Sequence, residues 1–149
     1  MIDRRAATLV AVMAIASLMG AAPSDTAVIT NSGSTNSLGY TIKITPDGHA
    51  TVQTQSKGGS PSAEKAFTVP AETAARFFAD LAAARKAGGT SEPCMKSASF
   101  GTTTHVAWQD WESPDLDCPP ATATATALVN DVQEIRKASG VPAMPLIQH

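Results

Sequence analysis

The clearest periodicity in the chain has period two and runs on both sides of a turn. Tyr40, Ile42 and Ile44 alternate with Thr41, Lys43 and Thr45; Pro46-Asp47-Gly48 reverses the chain; Ala50, Val52 and Thr54 alternate with Thr51 and Gln53. Successive side chains of a strand point to opposite faces, so this pattern predicts a β-hairpin with one face buried. A shorter β-prone run, 27–30, precedes it. Between them lies Asn31-Ser32-Gly33-Ser34-Thr35-Asn36-Ser37, rich in turn-forming residues and hydroxyls, which has no apolar face to bury and reads as a loop. Linker chemistry over 56–62 leads to another short strand at 66–69.

The period then changes. Ala74, Phe77, Phe78 and Leu81 recur at helical spacing after Pro70, whose missing N–H costs nothing in a first helical turn. Glu72 suits the positive end of that helix, and Gly88-Gly89 ends it. Phe100, Val106 and Trp108 share one parity and Thr103, His105 and Ala107 the other, predicting a strand over 100–108 with Phe100 in the core. Gln109-Asp110 turns this strand back through Trp111. After Pro119-Pro120, the threonines of 121–124 are a hesitant start to a helix whose stripe is Leu128, Val132 and Ile135, closed by Gly140. A tail, 141–149, carries Pro142 and Pro145. The order of strands, helix, strands, helix predicts an α+β fold: an antiparallel sheet of about four to six strands with two helices packed on one face.

Charge and composition change the picture at the N-terminus. Asp3, Arg4 and Arg5 precede an apolar run, 6–19, broken only by Thr8 and Ser17 and followed by Gly20-Ala21-Ala22. This predicts a cleaved signal peptide over 1–22, with its boundary within 20–25, and a single exported domain over 23–149. The run is shorter than the ~20 residues of a transmembrane helix, and no cysteine follows it to take a lipid. The expected location is the periplasm or the exterior. Removal of Asp3, Arg4 and Arg5 leaves 9 basic and 12 acidic residues, a net charge of −3, which argues against nucleic acid or an anionic membrane surface as partner. With 43% apolar and 16% charged residues, the rest is ordinary for a globular domain.

In an oxidising compartment, two cysteines and no third predict one disulfide, Cys94 to Cys118. Closing a loop of about 25 residues is worth roughly 3.5 kcal/mol on the chain-entropy account. With no C-x-x-C pair, and His49, His105 and His149 scattered, neither a zinc site nor a cofactor is expected.

The segment 94–118 holds both cysteines, both tryptophans and four of the 13 acidic residues, so it is where chemistry is sought. Ser97 or Ser99 with His105 would make a small serine/histidine-dependent hydrolase, but Ser99-Phe100-Gly101 matches only the last three positions of a nucleophile elbow. Asp110, Glu112, Asp115 and Asp117 are oxygen ligands of the kind calcium takes, without the residue order of a calcium loop. Ser62 and Lys65 have S-x-x-K spacing but lack the companion S-D-N and K-T-G elements. With no catalytic set, the first expectation is a binding module for a protein or small molecule, its contact surface drawn from His105, Trp111, Asn31, Ser34 and Asn36. The hydrolase is the alternative, and a calcium-stabilised domain the further one.

The blocks N-S-G-S-T-N-S-L-G-Y at 31–40, C-M-K-S-A-S-F-G at 94–101 and S-P-D-L-D-C-P at 113–119, with the P-D-G hairpin, resemble a group of small secreted bacterial proteins. The resemblance implies an exported domain with one disulfide. It implies no activity and carries over no functional residue.

Overall fold

The hairpin read from the alternation forms two adjacent inner strands of the sheet. The computed structural model describes residues 25–88 and 93–142; the predicted signal segment, Gly89 and most of the 141–149 tail lie outside the described residues. The strands are β1 (Ala27–Asn31), β2 (Gly39–Ile44), β3 (His49–Gln55), β4 (Lys65–Thr68), β5 (Thr104–Trp108) and β6 (Trp111–Glu112). Helix α1 (Ala71–Ala87) lies between β4 and β5, and α2 (Ala123–Ser139) follows β6. All strand pairs are antiparallel, in the order β4-β3-β2-β1-β5-β6. Strands β1 to β4 form a meander, and the chain returns through α1 to pair β5 with the free side of β1.

Register sorts the buried face into three rows. Phe67, Ala50, Ile44, Ala27, Trp108 and Trp111 align across the sheet, and Val52, Ile42, Ile29 and Val106 form the next row. Both rows meet Ala74, Phe77, Leu81 and Ala84 of α1 and Leu128, Val132 and Ile135 of α2 in one core, so both helices pack on the same face. Phe78 packs edge-on to Trp108, ring centroids 6.0 Å apart. The third row, Thr54, Tyr40, Asn31 and Thr104, is polar. The opposite face carries Ala66, Thr51, Lys43, Val28, Ala107 and Glu112 in one row and Gln53, Thr41, Thr30 and His105 in another.

Both helix ends follow the expected chemistry. Gly88 and Gly140 close α1 and α2 at φ 65° and 77°. Thr122 caps α2, its Oγ1 accepting from Ala125 N at 3.1 Å, so the helix begins at Ala123. The strand predicted over 100–108 is shorter, and Phe100 is not in the core: it is 43% exposed in the turn that precedes β5. The last β1 to β5 pairing is Asn31 with Thr104, extended by the Ser32 N–H on Thr103 O at 2.9 Å. Beyond that point the 33–38 loop turns away, and the chain before Thr103 has no strand to join.

Both sheet edges are protected. Strand β4 has four residues, starts at Lys65 and is followed closely by Pro70, features that discourage edge pairing. Beyond β6, the outer side of β5 is closed by the 113–117 segment. Ser113 N donates to Val106 O and Leu116 N to Thr104 O, while Ser113 Oγ and Asp115 Oδ1 accept from the backbone of Val106 and Thr104.

Candidate functional site

The polar row ends in two loops that form one tip. The first, 32–38, is anchored by both ends of the Asn31 amide: Oδ1 accepts from Gly33 N at 2.9 Å and Nδ2 donates to Thr104 Oγ1 at 2.8 Å. Gly33 has φ 63°, and a Cβ there would sit 2.4 Å from Gly39 N; one on Gly39 would sit 2.8 Å from Asn31 O. Only glycine permits that backbone approach. Ser34 N donates to Ser37 O at 3.0 Å, and the two hydroxyls are 2.8 Å apart.

The second loop, 94–101, is held at both ends. The Cys94–Cys118 disulfide ties its start to the segment before α2. The Lys96 ammonium donates to Thr102 O and to Asp115. Gly101 N donates to Ser97 O at 2.7 Å. The first loop is joined to the second and to the residues that follow it by Asn36 Nδ2 on Ser99 O at 3.2 Å, Thr103 N on Ser32 Oγ at 3.0 Å and Ser32 N on Thr103 O at 2.9 Å.

Two carboxylates underpin this. Asp117 accepts from Thr102 Oγ1 at 2.6 Å and Thr104 Oγ1 at 2.8 Å. Asp115 accepts from Lys96, from Thr104 N at 3.2 Å and from Asp117 N at 3.0 Å. Burial pushes the Asp115 carboxyl up, but Lys96 and the two backbone N–H groups outweigh it and hold the group below the usual aspartate range. Burial pushes the neighbouring Tyr40 phenol up, opposed by Arg136 of α2. The network ties the second loop to β5 and to the segment that carries Cys118.

Among the exposed hydroxyl and amide residues Ser32, Thr35, Asn36, Ser97 and Ser99 stand three large apolar side chains. Leu38, Met95 and Phe100 are 50%, 102% and 43% exposed, and they are the exposed large apolar side chains among the described residues. Neither 32–38 nor 97–103 contains an ionisable residue. Beside the first loop, a cavity of about 280 Å³ lies between Asn31, Ser32 and the turn after β3. Its Gln55 amide is already donated to Gly59 O at 2.6 Å.

The residues nominated from sequence do not form one surface. Asn31 and Ser34 shape the loop from within, and Asn36 joins it to the second loop. His105 is on the sheet face away from the helices, with Nδ1 2.9 Å from Ser113 O and 3.7 Å from Glu112. Trp111 is on the helix side, half-buried beside Ala84, Leu116 and Leu128. Ser97 Oγ accepts from Ser99 N at 3.4 Å, and neither serine bonds His105. The four acids are dispersed: Asp110 pairs with Arg85, Glu112 lies near His105, and Asp115 and Asp117 hold the tip. Among the described residues no three His, Cys, Asp or Glu side chains are grouped to hold a metal.

Sequence reasoning passed over Lys96 and Leu38 and put Phe100 in the core. The available signal was charge: 26–42 and 97–104 are the stretches around the tip without a single ionisable group other than Tyr40.

The fold defines an α+β domain with a two-helix layer on a six-stranded antiparallel sheet and one disulfide. No protein-family model matches the chain, and no curated protein matches it.

Proposed function

We propose that the protein is an exported bacterial binding module that takes hold of a protein partner through the tip of its 32–38 and 94–101 loops, in which the one charged residue, Lys96, is paired with Asp115. The observation that carries this reading is the exposure of Leu38, Met95 and Phe100 on two loops fastened by a disulfide and hydrogen bonds. Loops already held in place lose little conformational entropy on binding, so their apolar area is available for affinity. Serine, glycine and asparagine around an aromatic anchor are also the chemistry of recognition loops. With Lys96 already paired to Asp115, the tip fits an uncharged, apolar recess, because a partner charge buried against it would go unpaired.

The blocks that resemble small secreted bacterial proteins, 31–40, 94–101 and 113–119, are those that build the tip and its support, and on this reading such proteins share the tip. The signal-like N-terminus and the disulfide support export to the periplasm or the medium. Among the described residues no helix is long and apolar enough to cross a membrane.

The test is affinity capture from periplasmic extract and culture fluid of the producing bacterium, read by quantitative mass spectrometry. Wild type is compared with a Leu38→Ser, Met95→Ser, Phe100→Ser triple variant and with His105→Ala. A partner held by wild type and by His105→Ala, and reduced tenfold or more on the triple variant, is the expected result. Equal recovery on the triple variant, or loss only in His105→Ala, removes the tip as the contact surface. The N-terminus of the mature protein, expected within 20–25, tests export separately.

A further inference from the structure

Away from the tip, the contact between the two helices contains a carboxylate that its neighbours leave incompletely satisfied. Asp131 of α2 is 2% exposed. Its Oδ1 accepts from Arg76 Nε of α1 at 2.7 Å, while Oδ2 is buried with no donor facing it. Arg76 does not belong to Asp131 alone: its Nη2 pairs with Glu134, and its side chain is 47% exposed, so water screens its charge. Asp80, one turn beyond Arg76, lies on the same face of α1 and pushes the Asp131 carboxyl up. Arg76 and Asp80 from α1 and Glu134 from α2 are therefore the charged groups around it.

Two ionised carboxylates have only acceptors to offer each other, and one proton between them turns that repulsion into a hydrogen bond. We propose that Asp131 takes up one proton from solvent on its buried Oδ2 and donates it to Asp80, making the seam between α1 and α2 a latch that tightens in acid. The direction agrees with the environment: burial pushes the Asp131 carboxyl up, Arg76 opposes it, and Asp80 raises it further. A carboxyl raised in the folded state binds more protons folded than unfolded. Its stabilisation is therefore fully present below the unfolded value, ~3.9, and is lost as pH rises through the folded one. An exported protein would meet that pH range from outside, without the buffering of a cell interior.

The experiment uses the full mature chain. Carboxyl carbon NMR, with Asp131 assigned by its loss in Asp131→Asn, should give a titration midpoint above ~4 for Asp131. The midpoint should fall in Asp80→Asn, which removes the neighbouring charge. Melting temperatures from pH 4.5 to 8 should fall with rising pH more steeply in wild type than in Asp131→Asn, whose amide imitates the protonated acid. A midpoint at or below ~4, a midpoint unmoved in Asp80→Asn, or parallel melting curves would each overturn the latch.

Discussion

Lys96 and Asp115 show how much of the tip rests on single residues. The lysine reaches a backbone carbonyl of the loop and the carboxylate that also serves Thr104 and Asp117, so one ion pair couples the second loop to β5 and to the disulfide-bonded segment. The Asp115 carboxyl is held low in the folded protein, so its stabilisation is present above the unfolded value and is lost as pH falls through the folded one. Replacing Lys96 by Met should flatten the acid limb of the stability profile below pH ~4, measured by chemical denaturation, with the opposite sign to Asp131→Asn. Gly33→Ala should cost about 1–3 kcal/mol in the same assay, from the left-handed φ and the overlap with Gly39. None of these roles is written in residue type. Lys96 has no pattern around it, and Phe100 has the parity of a core residue but lies past the point where β1 stops pairing.

At the scale of elements, the helices and the β2–β3 hairpin follow from periodicity, and their ends come from local chemistry. Thr122 illustrates the limit. Threonine is a poor interior helix residue, so the 121–124 run reads as hesitation, yet the same hydroxyl is a good cap once the chain before it is extended. Thr122→Ala should cost about 1 kcal/mol and fray the first turn of α2, seen as faster amide exchange at Ala125, while Thr122→Ser should cost a few tenths. Strand β5 could not be bounded from sequence because its length is decided by β1. Its outer edge is closed by Ser113 and Asp115 side chains, which leave no periodic trace.

Over the whole molecule, the disulfide joins two parts that sequence separates by 24 positions and fastens the tip to the helical layer. Reduction should remove roughly 3.5 kcal/mol of stability, read by denaturation with and without reductant. The added amide exchange should concentrate at 94–104 and 113–118, because the two central apolar rows and both helices do not depend on the bond. Exchange rising uniformly over the sheet would show that the bond holds the core itself. The amino-acid sequence alone determined the fold class, the β2–β3 hairpin, both helices and the cysteine pair, because these depend on periods of two and 3.6 and on residue counts. Only the tertiary structure decided that His105 and Trp111 lie on opposite faces, that Asn31 and Ser34 build a loop from within, that Leu38, Met95 and Phe100 are exposed, and that Arg76 reaches Asp131 across the helices. Those outcomes depend on which strands pair and in what register, and on residues from 55 to 73 positions apart brought within hydrogen-bond distance, a property of the whole chain that no local pattern carries.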